Sequence, residues 1–293
     1  MSMSNSKIDL LRKSSSEDIP NKLKRLAHII EEKGRGGVVL AFSGGVDSST
    51  LAALCHDLLG EKVVAATAKS PTYPDDELED ARKMAREIGI KHYVVETYEL
   101  SNDDFARNPE NRCYYCKKEL LDRLQGMAQT LGFHAVFEGT NSSDLGGHRP
   151  GFNAVREHNN VFSPWVESGF TKDEIRVVAQ KLGLSVHNKP SLACLASRIP
   201  FDERITKERL ERVDIAERYV KSISGVRQVR VRDHNGLARI EVGRDERNLV
   251  LDVEIMDEIV RKLRELGFSF ITLDMEGYRT GSMTATMEGS EKK

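Results

Sequence analysis

Ser43-Gly44-Gly45-Val46-Asp47-Ser48 lies between two stretches of opposite character. Before it, Val38-Val39-Leu40-Ala41-Phe42 is apolar, β-branched and aromatic, which predicts a buried strand. After it, Ser49-Thr50-Leu51-Ala52-Ala53-Leu54 opens with helix-capping residues and continues with helix formers. A glycine-rich turn at such a junction presents bare backbone N–H groups at the positive end of a helix dipole, which is an anion site. It is neither a Walker A loop, because no Gly-Lys-Ser/Thr follows, nor a Gly-x-Gly-x-x-Gly turn. The plain alternative is a polar β–α turn that binds nothing. The coincidence of strand, loop and helix weighs against it.

Outward from this loop the pattern keeps alternating. Leu23, Leu26, Ile29 and Ile30 recur at helical spacing within Ile19 to Lys33. Val63 to Ala68 and His92 to Glu96 read as strands, with Pro74 to Ile88 as a helix closed by Gly89 between them. Leu120 to Leu131 is helical and Ala135 to Glu138 is a short strand, followed by Gly139-Thr140-Asn141. Thr171 and Glu174 make a capping box for a further helix. Such alternation predicts an α/β fold, a parallel sheet with helices on both faces. Ligands bind such sheets beyond the carboxyl ends of the strands, where the glycine loop, Lys69-Ser70 and Glu138 to Asp144 would converge. After Pro200 the pattern changes: a helix over Thr206 to Ser222, strands Arg227 to Asp233 and Leu237 to Val242 joined at Asn235-Gly236, a helix over Val253 to Leu266 and a strand Ser269 to Leu273. The expected organisation is a flexible start (1–18), an α/β domain (19–200), a smaller α+β domain (201–281) and a disordered tail (282–293).

Composition narrows the class. With 39% apolar and 31% charged residues the 293-residue chain suits packed cores and a solvated surface, and its net charge of −2 supplies no global basic field for nucleic acid. No apolar stretch reaches membrane-spanning length, and Met1 to Ser16 lacks a signal-peptide core, so a cytoplasmic enzyme is expected.

Four cysteines in a chain this long do not make a disulfide framework. Cys55, among Leu51, Leu54 and Leu58, reads as core. Cys113 and Cys116 stand in Arg112-Cys113-Tyr114-Tyr115-Cys116-Lys117-Lys118 at the start of a helix, and helix N-termini and flanking cations both favour thiolates. A lone C-x-x-C leaves open a redox dithiol, half a zinc site or part of an iron–sulfur site. Cys194 as a third ligand suits a cubane cluster with one iron left open. In the second domain, Arg230 and Arg232 fall on one face of a strand, two residues apart, with Glu241 on the partner strand. That geometry suits a phosphate, and equally a solvated cross-strand Arg–Glu pair. His148 reads as a loop residue and Trp165 as core rather than a stacking platform.

Ser-Gly-Gly-x-Asp-Ser resembles the PP-loop of the adenine-nucleotide α-hydrolases, which bind ATP and release pyrophosphate while adenylating a substrate. Together with Asn111 to Lys118, Glu138-Gly139-Thr140-Asn141 and Lys189 to Pro200, which contains Cys194-Leu195-Ala196-Ser197-Arg198, nearly the whole chain closely resembles the LarE family. These are the sulfur transferases that build the nickel-pincer nucleotide cofactor. The resemblance implies Mg-ATP bound by Ser43, Gly44, Gly45, Asp47, Ser48, Lys69, Glu138 and Asp144, with Asp47 near the phosphates through Mg²⁺. It implies adenylation of a carboxylate of pyridinium-3,5-biscarboxylic acid mononucleotide, held by Arg198, Arg230, Arg232, Glu241 and Arg279, and replacement of AMP by sulfur. In one branch of the family the cysteine matching Cys194 gives up its own sulfur and becomes dehydroalanine. In the other, three cysteines hold a 4Fe–4S cluster that carries the sulfide, and the presence of Cys113, Cys116 and Cys194 favours that branch. The family also implies a homo-oligomer, a hexamer built from trimers. Competing expectations are a PP-loop tRNA thiolase, an amidating ligase that leaves three cysteines unexplained, and a non-catalytic ATP-sensing or metal-storage module.

Overall fold

The computed structural model describes residues 18–146, 149–190, 194–279 and 283, which form two compact units: 18–99 with 111–190, and 100–110 with the remainder. Residues 1–17 of the segment read as a flexible start, the tail after 281 apart from Met283, His148, Ser191-Leu192-Ala193 and Thr280-Gly281 lie outside the described residues, whereas Asp18 opens the first helix.

The first unit carries a parallel sheet of order β3-β2-β1-β4-β5, with β1 (Val38–Ala41), β2 (Val63–Lys69), β3 (Lys91–Glu96), β4 (Ala135–Phe137) and β5 (Val161–Phe162). Val38, Val39 and Leu40 are fully buried in succession, so β1 is covered on both faces and reads as an apolar run rather than an alternation. On one face α1 (Asp18–Gly34), α2 (Val46–Leu59) and α3 (Asp75–Ile88) bring Leu23, Leu26, Ile30, Leu51, Leu54 and Met84 against Leu40 and Ala65. Each fully buried leucine or isoleucine there contributes about 1.5–3 kcal/mol. The short α4 (Asp103–Ala106) belongs to the second unit. On the opposite face α5 (Arg112–Leu131) and α6 (Pro150–Glu157) set Leu121, Leu124, Ala154 and Val155 against Val39, Val64 and Val136. Then α7 (Pro164–Ser168) and α8 (Lys172–Lys181) follow, and Trp165 is fully buried, packed edge-on to Phe170 as core. Strand order reverses about β1, so the loops leaving β1 and β4 flank one crevice at the carboxyl edge of the sheet.

The second unit holds α9 (Lys207–Ser224), β6 (Val229–His234), β7 (Leu237–Val242), α10 (Val253–Glu265) and β8 (Phe270–Leu273), in a sheet of order β6-β7-β8. β6 and β7 are antiparallel about Asn235 (φ 49°) and Gly236 (φ 91°), the paired positive φ values of a two-residue hairpin, whereas β7 and β8 are parallel. This partition differs from the 19–200 and 201–281 division in that 100–110 and 194–200 pack with the second unit. Hydrogen bonds explain the difference: Ile205 donates to the Ala106 carbonyl (2.8 Å) and Asp202 to that of Asn108 (3.0 Å), and Arg204 pairs with Asp103 (2.7 Å). No helix among the described residues is long and apolar enough to cross a membrane.

Candidate active site

The glycine loop begins α2 earlier than its sequence suggested. Ser49 and Thr50 do not cap the helix; the N-cap is Gly45, with no side-chain cap bond, and the Thr50 hydroxyl donates back to the Val46 carbonyl (2.6 Å). Without a capping side chain, the first-turn amides are left for an anion. Gly44 takes φ 68°, and a Cβ on it would lie 2.8 Å from the Ala81 Cα, so only glycine fits between the loop and α3. The hydroxyls of Ser43 and Ser48 meet at 3.1 Å; Ser48 also donates to the Gly45 carbonyl (3.2 Å) and accepts from the Ser43 amide (3.2 Å). The Tyr73 hydroxyl donates to the Ser43 carbonyl (2.6 Å) and pins the loop from α3's side.

Asp47 sits on the first turn of α2 and is ion-paired with Lys172. Its other oxygen accepts from the Asn141 amide (3.3 Å), and its carbonyl accepts from the Trp165 indole (3.0 Å). The β4 loop thus reaches the glycine loop, as expected: a Cβ on Gly139 would lie 3.3 Å from the Ser48 nitrogen. The sequence places Asn141 in the loop expected at this edge but by itself pairs neither it nor Lys172 with Asp47. A usable signal existed for Lys172, because a lysine in the first turn of a helix opposes the helix dipole and calls for a nearby anion. Lys69 ends β2 exposed at the same edge. Asp144 accepts from Arg149 (2.8 Å) and the Asn141 amide (3.3 Å), bracing the loop.

Glu138, 1% exposed, receives the Lys117 ammonium at 2.7 Å and the hydroxyls of Thr140 (2.6 Å) and Ser163. Burial alone would raise its pKa. The Lys117 charge and these hydrogen bonds outweigh that and hold it below the usual carboxylate range. Lys117 follows Cys116 directly, so this pair fastens the cysteine-bearing start of α5 to the end of β4.

Cys113 is exposed on the first turn of α5, Cys116 is half-buried about one helical turn further on, and Cys194 is exposed. None of the three is in a disulfide, while burial pushes the Cys55 thiol up and leaves it inert. Among the described residues no three His, Cys, Asp or Glu side chains already surround one metal position. The donor set itself fits an iron–sulfur cluster, with three accessible sulfur ligands and none locked in a disulfide.

In the second unit the arginine face is buried, not solvated. Arg198, 2% exposed, grips Glu217 with two bonds (2.7 and 2.9 Å) and donates to the carbonyl of Cys194 (3.2 Å). Arg232 and Arg239 share Glu241, which is 0% exposed, at 2.7 and 3.0 Å, and Arg232 also donates to the Ser197 carbonyl (3.0 Å). Arg230 lies opposite Glu241 in the ladder, yet among the described residues no carboxylate pairs with it. One nitrogen donates to the Val229 carbonyl (2.8 Å), Nε has no partner, and Tyr278 lies under the guanidinium at 5.2 Å. Burial, and after it the Arg198 charge, pull its pKa below the ordinary guanidinium value. Arg230 thus keeps donor capacity in a buried setting, the chemistry that a phosphate or carboxylate requires. Arg279 instead pairs with Glu276 at the surface (2.6 Å).

The parallel sheet, the uncapped Ser-Gly-Gly-x-Asp-Ser loop and the β4 loop beside it define the class of PP-loop ATP-using enzymes. A family model described as NAD synthase matches residues 19–123. The chain is 43% identical to an uncharacterised protein of Synechocystis over 92% of its length and 99% of the relative's. It is 36% identical to the pyridinium-3,5-bisthiocarboxylic acid mononucleotide synthase of Lactiplantibacillus plantarum, over 85% of this chain and 90% of that one. An NH(3)-dependent NAD(+) synthetase of Pyrococcus horikoshii is 36% identical over 64% of this chain and 73% of its own. The chain belongs to the LarE family of ATP-dependent sulfurtransferases.

Proposed function

We propose that this enzyme adenylates a carboxylate of pyridinium-3,5-biscarboxylic acid mononucleotide and converts it to a thiocarboxylate. The observation that carries the reading is the buried Arg230, which among the described residues forms no hydrogen bond or ion pair with a carboxylate, in the unit where Arg198 is bonded to the carbonyl of the exposed Cys194. The buried arginines and the exposed Cys194 thus belong to one unit. The Gly44-Gly45 amides bind the phosphates, Lys172 and Asn141 orient Asp47, and Asp47 would hold the Mg²⁺ that screens phosphate charge. The substrate carboxylate oxygen attacks the α-phosphorus, pyrophosphate leaves, and the acyl adenylate then loses AMP to a sulfur nucleophile. Adenylation is needed because a carboxylate oxygen is a poor leaving group until bonded to phosphorus. Cys113, Cys116 and Cys194 would hold a 4Fe–4S cluster, which when bound supplies sulfide. The substrate's phosphate rests on Arg230 and Arg232, with Glu241 fixing Arg232.

The test is pyrophosphate release from Mg-ATP with and without this mononucleotide, with mass spectrometry of the product. Substrate-dependent pyrophosphate and exchange of one oxygen for sulfur are expected. Ammonia-dependent amide formation, or release that needs tRNA, overturns the reading. Arg230→Met is expected to raise KM for the mononucleotide by roughly 10- to 100-fold, the worth of a charge-assisted bond. The same change leaves thermal stability unchanged or raises it, because it removes an uncompensated buried charge. Calorimetry beside steady-state kinetics reads both signs.

A further inference from the structure

Ser70-Pro71-Thr72-Tyr73 is a turn that leaves β2 and delivers the chain to α3. The Tyr73 amide donates to the Ser70 carbonyl (3.0 Å), and Pro71 fills the second position, which its fixed φ suits. Side chains tighten the turn: the Ser70 hydroxyl accepts from the Thr72 amide (3.0 Å), and the two hydroxyls lie 2.8 Å apart. Both donate to one oxygen of Glu99, Thr72 at 2.8 Å. Glu99 is 3% exposed, and among the described residues its side chain has no other hydrogen bond and no ion pair. It stands just past β3, where Thr97 donates to the Lys69 carbonyl (3.2 Å) and keeps this stretch beside the end of β2. A buried carboxylate costs free energy unless its hydrogen bonds are met, and here the turn alone meets them. The turn ends on Tyr73, whose hydroxyl holds the Ser43 carbonyl at the start of the glycine loop (2.6 Å). Burial, and after it the charges of Glu77 and Asp80, push the Tyr73 pKa up, so the phenol keeps the proton it donates.

We propose that Glu99 is a positioning residue for the ATP-binding glycine loop and acts through Tyr73. Its carboxylate holds the 70–73 turn, the turn aims the Tyr73 hydroxyl, and that hydroxyl fixes the Ser43 carbonyl. A loop held in place before the nucleotide arrives loses less freedom on binding, which tightens binding without any direct contact from Glu99. The inference rests on ATP being bound by the glycine loop, and not on which carboxylate is adenylated.

The test is calorimetric binding of α,β-methylene-ATP with Mg²⁺ to the full chain, since this analogue cannot release pyrophosphate and needs no acid substrate. Amide hydrogen exchange over residues 43–48 is followed beside it. Tyr73→Phe is expected to weaken binding roughly 3- to 10-fold, about what one hydrogen bond contributes. Glu99→Ala and Thr72→Val are expected to weaken it similarly and to speed exchange over 43–48. Glu99→Gln keeps an acceptor for the two hydroxyls and is expected to bind like wild type. In the Tyr73→Phe background, Glu99→Ala should add nothing further, because both changes release the same contact. Wild-type affinity in Glu99→Ala, or full additivity of the two changes, overturns the inference. Where Glu99→Ala fails to fold, wild-type affinity in Thr72→Val overturns it. A wild type that does not bind the analogue overturns the inference together with nucleotide binding by the loop. A wild type that binds it, with the expected variant pattern, but does not adenylate the mononucleotide overturns the proposed substrate and leaves the role of Glu99 standing.

Discussion

Replacing Cys194 with alanine is expected to cut sulfur transfer by about three orders of magnitude or more, as loss of a reacting group does, while substrate-dependent pyrophosphate release continues. The two halves separate because activation needs the glycine loop, Asp47 and Lys172, none of which depends on the Cys194 thiol. Cys194 is exposed, so stability should change by less than about 0.5 kcal/mol. Parallel assays of pyrophosphate and thiocarboxylate, with a melting curve, read all three. The same assay on Cys113→Ala identifies the sulfur source. Loss of transfer with loss of iron marks a cluster-borne sulfide. Full single-turnover transfer by Cys113→Ala, with Cys194 reduced in mass by one H2S, marks a cysteine that gives up its own sulfur. Loss of both pyrophosphate and transfer in Cys194→Ala would show that the thiol acts before adenylation, against the proposed order.

Lys117→Met should be the most damaging charge substitution in the first unit. It strips the cation from a carboxylate that is 1% exposed, and breaking such a pair costs about 2–3 kcal/mol when one partner is partly exposed. For a protein of this size that lowers Tm by roughly 5–10 °C. Glu138→Gln in the same background should recover most of the loss, because a neutral amide needs no counter-charge. The pH dependence has a definite sign. In the wild type the folded-state pKa of Glu138 is depressed, so its contribution is full above the unfolded pKa and is lost as pH falls through the folded value. Without Lys117 burial dominates and the folded pKa is raised. The contribution of Glu138 is then full below the unfolded pKa and lost as pH rises through the folded value. Denaturant midpoints from acid to neutral pH should therefore slope in opposite directions for this group in the two proteins. A parallel slope would show that Ser163 and Thr140 alone keep Glu138 ionised.

Legibility followed the range of the interactions. The strands β1, β2 and β3 and the helix α3 were readable because hydrophobic periodicity and the Gly89 cap are local signals. β5 was not, since two residues, Val161 and Phe162, carry no period; pairing with β4 defines it. Ser49 and Thr50 have the composition of caps, yet the helix after the glycine loop starts three residues earlier, at Val46. Chain direction at Gly44, forced by its approach to Ala81, decides where the helix begins. Alternation puts Arg230 and Arg232 on one face of the strand, but alternation cannot tell a solvated face from a buried one.

The sequence by itself determined the class of nucleotide loop, the parallel sheet that presents it, the second α+β unit and the three candidate sulfur ligands, all encoded in short windows. Tertiary structure alone decided the partnerships that tune those groups. Lys172 meets Asp47 across 125 residues, Lys117 meets Glu138 across 21, and Asn108 meets Ile199 across 91. It also decided that Arg230 is buried with no carboxylate bonded to it among the described residues. Burial and long-range pairing depend on how elements pack, and an ionisable group's chemistry depends on its dielectric surroundings and its neighbours' charge.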